Sequence, residues 1–316
     1  MSVSLLALAR YTLKGPYQAA AVVGLLAVLA VFIPPMAGNS MFGVVVASLC
    51  MLLSCSLVGL VILTHGSISG LKAIAVSMLG ITLVAWALID APELGFWTGV
   101  VQWLPIILLA QALRSTRSLP LTLLAGTALG AIAIAMQYLF WGSIQSEMIN
   151  QAMLRMGDVG QQEQELVQRN LQVLQLFVLA MVAMVYLYIM LILMVARWMQ
   201  ASLAGSNGFR EEFYGLALGK SASLVALLIV GLSVWLEQPW LVSLAFLAVI
   251  AFMFQGIAIV HSRFGARRQA RLLLGVFYML LLVFPQVVAL TSLTGVIDNW
   301  LVFRNKSVKP DDENEL

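Results

Sequence analysis

The stretch LQVLQLFVLAMVAMVYLYIMLILMVA, Leu171–Ala196, carries no charge and is bounded by Arg169 and Arg197. Roughly 20 mainly apolar residues cross ~30 Å of hydrocarbon as an α-helix. The run is continuously apolar, without the period-two alternation of a barrel strand. A helix also satisfies every backbone polar group internally, as lipid demands. Eight similar runs lie around it: Tyr17–Met36, Met41–Leu63, Leu71–Ile89, Phe96–Leu113, Leu119–Trp141, Ser221–Leu236, Trp240–Val260 and Leu272–Leu293.

Composition agrees with this reading. Of 316 residues, 62% are hydrophobic and only 17 Lys+Arg and 14 Asp+Glu are charged. Soluble domains are nearer ~45–50% apolar and ~25% charged, and they need a polar skin that this chain cannot supply. A soluble enzyme, a nucleic-acid-binding module and a disordered chain are thereby excluded. The expected fold is all-α: a polytopic helical membrane protein of about nine spans, eight if one is re-entrant, with no soluble domain. Its parts are an N-terminal segment 1–16, a single membrane domain 17–293, and a polar tail 294–316 that reads as disordered. The first span reads as retained, because no A-x-A cleavage site follows its long basic region.

Charge sets the expected orientation. With the N-terminus in the cytoplasm, Arg10, Lys14, Lys72, Arg114, Arg117, Arg197, Arg210, Lys220, Arg263, Arg267, Arg268 and Arg271 fall on that side. Arg155, Arg169, Arg304, Lys306 and Lys309 fall outside. This is the positive-inside bias of a cytoplasmic membrane. Trp86, Trp97, Trp141, Trp235, Trp240 and Trp300 then mark the outer interface, where aromatic belts form.

Two connecting segments are long. The outer one, 142–170, contains an amphipathic pattern (Ile144, Met148, Ile149, Met156) and a break at Asp158 and Gly160, with helix resuming at Gln161. The cytoplasmic one reads RWMQASLAGSNGFREEFYGLALGK, from Arg197 to Lys220. Ser206-Asn207-Gly208 stops one helix and starts another over 207–220. Glu211 and Glu212 lie in its first turn, where the helix dipole favours anions. Phe209 and Phe213 give it an apolar side and Arg210 and Glu211 a polar one, as in an interfacial helix.

Few residues carry chemistry. Cys50 and Cys55 share one span and imply neither a disulfide framework nor a metal site. His65 and His261 lack ligand-spaced neighbours. No charge sits centrally in a span, which argues against ion coupling. No catalytic or nucleotide-binding motif is present, so no cofactor is expected and the protein is not read as an enzyme. An enzyme would have to assemble Asp90, Glu93, Glu237 and a histidine.

The neutral amides Gln102, Gln137, Gln255 and Gln286 do lie within spans. Each needs partners in lipid, either a neighbouring helix or a bound solute. Pro105 and Pro285 kink the helices near two of them and free a carbonyl one turn upstream. These four residues are the candidate solute-binding set. The candidate partner-docking set is the small-residue face Ala20, Gly24 and Ala27, the segment residues Arg197, Phe209, Arg210, Glu211 and Phe213, and the stripe Arg263, Arg267 and Arg271. The stripe would share one face if its helix extends below the bilayer, against lipid headgroups or an acidic partner.

The run Arg197-Trp198 followed by Gly208-Phe209-Arg210-Glu211-Glu212-Phe213, between two apolar helices, resembles the YybS-like family of bacterial inner-membrane proteins. That family is loosely grouped with the substrate-binding subunits of energy-coupling-factor vitamin transporters and with the membrane component of the rod-shape machinery. The resemblance implies a helical membrane fold with an outward-opening pocket and a helical face that docks to partners. The Ala20, Gly24, Ala27 face is similar to the docking face of those transport subunits. Two functions are therefore expected in competition. One is a binding or translocation subunit for a small uncharged or zwitterionic solute, energised by separate membrane or cytoplasmic partner proteins. The other is a non-transporting scaffold in cell-envelope growth or division.

Overall fold

A computed structural model describes residues 2–38, 40–141, 147, 151, 161–265, 267 and 269–301. The chain is an all-α polytopic membrane protein, with no strand among the described residues. Its helices are α1 (Ser2–Thr12), α2 (Pro16–Met36), α3 (Met41–His65), α4 (Ser67–Ile89), α5 (Glu93–Thr116), α6 (Leu119–Trp141), α7 (Gln161–Leu203), α8 (Gly208–Tyr214), α9 (Lys220–Leu236), α10 (Pro239–Phe264), α11 (Ala270–Val283) and α12 (Pro285–Leu301). The expected surface helix of 142–160, Arg268 and the tail from 302 onward lie outside the described residues.

Seven helices, α2 to α7 and α10, are long and apolar enough to cross a membrane, and the bent pair α11–α12 makes an eighth if counted as one span. Helix α9 is shorter, at 17 residues, or roughly 25 Å at 1.5 Å per residue. The expected single membrane domain divides into two compact units. Unit 1 comprises Met1–Ala128 and Met184–Glu212, and unit 2 comprises Leu129–Ala183 and Phe213–Leu316.

In unit 1 the central element is α3, whose residues Ser54 to Leu63 are all buried. Lipid tails are as apolar as leucine, so helices here associate through close packing and interhelical hydrogen bonds worth about 0.6 kcal/mol each on average. Both devices are present. Ser54 Oγ donates to the Val23 carbonyl at 2.9 Å and Ser77 Oγ to the Ala20 carbonyl at 3.0 Å, tying α3 and α4 to α2. A Cβ on Gly59 would sit 3.1 Å from Ala196 Cβ, so glycine sets the approach of α7 to α3. Residues 2–12, expected only as an N-terminal segment, form a helix whose Ala9 and Thr12 are buried.

In unit 2 the tightest crossing is α10 on α12. A Cβ on Gly295 would lie 2.9 Å from the Gly256 backbone nitrogen, and one on Gly256 would press on the Thr291 carbonyl. Backbone meets backbone there, which only glycine permits. Helices α9 and α10 form a hairpin across Glu237 and Gln238, so the end of α10 returns to the level where α9 began. Helix α11 starts six residues after Phe264, at that same end. The expected single span Leu272–Leu293 breaks at Phe284, where α11 and α12 meet at 115°. Pro285 is the cause, since it has no N–H and biases Phe284 away from helical angles; Phe284 takes φ −116, ψ 106. Helix α12 then finishes beside the first turn of α9, where Asn299 Oδ1 accepts from Gly219 N at 3.2 Å. The two ends of the pair therefore lie at one end of unit 2, the path of a re-entrant loop.

Three expectations fall with this geometry. Residues 294–301 are helical, not tail. Trp300 sits at the end expected to be cytoplasmic and leaves the outer belt. The stripe Arg263, Arg267, Arg271 is not a helical face, because α10 stops at Phe264 and α11 begins only at Ala270. The interfacial helix expected over 207–220 is also shorter: α8 ends at Tyr214, and Gly219 takes φ 92 before α9.

Candidate functional site: a neutral cavity at Gln102

The four amides separate by environment. Gln255 is fully buried in unit 2. Its Oε1 accepts from Leu218 N at 3.0 Å, and its Nε2 donates to Asp298 Oδ2 and Asn299 Oδ1, each at 3.2 Å. Asn299 Nδ2 donates onward to Ser223 Oγ at 2.7 Å. This amide binds helices together and is already committed, so the expectation of a solute ligand at Gln255 is corrected. Gln286 is exposed at the second residue of α12, after the bend, and lines no enclosed site with the other amides. Gln137 is half-buried on α6, also in unit 2, with no hydrogen-bond partner among the described residues.

Gln102 is different. It lies in unit 1, in the π-helical segment Thr98–Trp103 of α5. The widened turn has a local cause. Pro105 cannot donate to the Val101 carbonyl and would crowd it, and Leu104 N instead reaches back five residues to Gly99 O. Such single-turn bulges recur at functional sites. Gly95 and Gly99 let this segment lie against Thr82 and Met78 of α4. Beside Gln102, the buried Trp103 indole N–H faces the Cys55 thiol.

Gln102 lines a cavity of about 330 Å³ with Ala30 and Pro34 of α2, Val44, Ser48 and Met51 of α3, and Tyr188 of α7. That volume is within the range of small-molecule sites. The polar groups converging there are all neutral. The Gln102 amide and the Tyr188 hydroxyl have no partner among the described residues. Ser48 Oγ donates to Val44 O at 2.9 Å and keeps its lone pairs. Pro34 stands inside α2, so the Ala30 carbonyl loses its helical donor. The cavity thus offers two amide donors, two hydroxyls and two carbonyl oxygens among methyl and thioether surfaces. It sits toward the end of unit 1 where α2 finishes and α3 starts. By the charge reading, that is the outer end.

The docking set is also redistributed. Ala20 and Ala27 are buried within unit 1, and Gly24 packs against Ser77 with 3.5 Å left for a Cβ. That part of α2 is occupied by α4 and is not a free docking face. Arg197 pairs with Glu212: Nε donates to Oε2 at 3.0 Å and Nη2 to Oε1. Phe213 is buried in unit 2 and stacks edge-on to His261 at 5.6 Å between centroids. Phe209 is half-buried, whereas Arg210 and Glu211 are exposed on α8.

Sequence reasoning named Gln102 and missed its companions. Pro34-Pro35 inside an apolar run was the available signal for a freed carbonyl, whereas Tyr188 stands in the apolar run Leu171–Ala196 with no local signal to set it apart. No protein-family model, curated protein or solved structure matches the chain.

Proposed function

We propose that the protein is a membrane-embedded binding subunit for a small uncharged or zwitterionic solute, held at Gln102 in the outer half of unit 1. The observation that carries this reading is the unpartnered Gln102 amide, displayed by a π-helical turn in a cavity that also holds the unpartnered Tyr188 hydroxyl. The Gln102 amide is half-buried and lines the cavity with its hydrogen-bonding groups uncommitted among the described residues, and a solute that covered it would have to satisfy them. A ligand with both donors and acceptors does so, whereas an ion would meet no counter-charge among the lining residues. In this role the Gln102 amide fixes orientation, Tyr188 and Ser48 exchange hydrogen bonds with the solute's polar end, and Met51 and Val44 cover its apolar part. With no ion-coupling charge in the cavity and no nucleotide motif in the chain, movement of the solute would be energised by separate proteins. This is the role implied by the resemblance to the YybS-like family and a bacterial inner-membrane setting.

The scaffold reading is supported less well, since the arginine stripe is broken and Phe213 is buried.

The test is native mass spectrometry of the full chain released from mild detergent after incubation with a mixture of neutral and zwitterionic metabolites. The parent should retain at least one such solute, and Gln102→Leu and Tyr188→Phe should retain at least about tenfold less, as expected for loss of one buried hydrogen bond. Equal retention by all three proteins, or retention of ions only, overturns the proposal.

A further inference from the structure

At the opposite end of unit 1 lies a second cavity, of about 490 Å³, lined by Leu63, Arg114, Arg117, Arg197, Gln200 and Glu212 together with Leu113. It is formed where α3, α5 and α7 end, and α8 closes one side with Glu212. Three guanidinium groups face one carboxylate. Their commitments differ. Arg114 Nη1 donates to the Ile62 carbonyl at 3.2 Å and so caps the end of α3. Arg197 is used on three sides, by both oxygens of Glu212 and by Gln200 Oε1 at 2.8 Å. Gln200 in turn donates to the Leu63 carbonyl at 3.1 Å. Arg117 has no partner among the described residues. It also holds a left-handed backbone, φ 50, as the C-cap of α5, a conformation that non-glycine residues seldom adopt.

A guanidinium offers five N–H donors in a planar fork. The acceptors that these guanidinium groups use are the two Glu212 oxygens, Gln200 Oε1 and the Ile62 carbonyl. Donors therefore far outnumber acceptors, and the side chains carry a formal +2. Arginine forks match tetrahedral oxyanions bidentately. Basic pockets between transmembrane helices on the positive face are where phosphate-bearing headgroups bind.

We infer that this basin is a binding site for a phosphate group, either of an anionic lipid headgroup or of a soluble phosphate, with Arg117 and Arg114 as its primary ligands. Glu212 is the internal competitor: its carboxylate occupies the Arg197 fork that an entering phosphate would share. The inference is independent of the solute proposed at Gln102, since no residue is common to the two cavities.

The experiment uses the full chain in nanodiscs of phosphatidylcholine with increasing phosphatidylglycerol, read by native mass spectrometry, and in parallel inorganic phosphate titrated calorimetrically. Saturable uptake of phosphatidylglycerol alone assigns the site to a headgroup, and saturable phosphate binding assigns it to a soluble anion. In either case Arg117→Gln, an exposed side chain with no structural bond, should weaken the affinity about tenfold, and Glu212→Gln should strengthen it several-fold. Both effects should shrink at high salt. Absence of saturable binding by either probe, or affinities unchanged in both variants, overturns the inference.

Discussion

Gln102 and Gln255 are the same residue type in comparable apolar helices, and their surroundings give them opposite roles. Gln255 is saturated by Leu218, Asp298 and Asn299, whereas Gln102 faces a cavity. Replacing Gln255 by Leu leaves the Leu218 N–H, the Asp298 carboxylate and the Asn299 amide each short of one bond. At about 1 kcal/mol per stranded group, the loss is about 2–3 kcal/mol, measurable as a lowered thermal midpoint in detergent. Gln137→Leu, which strands nothing, should stay within about 0.5 kcal/mol of the parent. Equal effects of the two substitutions would contradict the assignment of Gln255 to structure. The sequence marks both amides as polar groups in lipid and stops there. Which one is satisfied depends on Asp298 and Asn299, which are more than 40 positions away and sit in what reads locally as a polar tail.

At the scale of elements, the helices were legible because a 20-residue apolar run has one outcome in a bilayer. What the runs could not show is whether a helix crosses. Residues 272–293 have the length and hydropathy of a span, and Pro285 was visible as a kink. The size of the bend, 115°, has no local signal, because Pro285 marks where a helix kinks and not by how much. The return of α12 to the first turn of α9 predicts that Arg263→Cys and Trp300→Cys, each in a background without Cys50, react with a membrane-impermeant maleimide from the same side of sealed vesicles. Trp240→Cys should react from the other side. Labelling of positions 263 and 300 from opposite sides would restore the pair to a full crossing. The arginine stripe failed for a related reason. Spacing of four and four implies a face only if the helix continues, and α10 stops at Phe264.

For the whole molecule, two features of unit 1 define the account. A neutral cavity opens where α2 ends and α3 begins, and a basic basin opens at the other end, where α3 and α5 finish. The arginines of the basin lie at the end that the charge reading expects to face the cytoplasm, and the uncharged cavity lies at the end expected to face outward. Composition made the membrane environment plain from the start. The cavities were not legible, because each is assembled from three or four helices distant in sequence. The central claim is that Gln102 is reachable from water and not sealed by lipid or protein. Ser48→Cys in a Cys50→Ala background places a thiol in the cavity wall. A water-soluble maleimide added to the outer face of intact cells should label it at a rate well above that of buried Cys55, and a solute retained by the parent protein should slow that labelling. Failure of the thiol to react from outside, or labelling that no neutral solute slows, would contradict the claim.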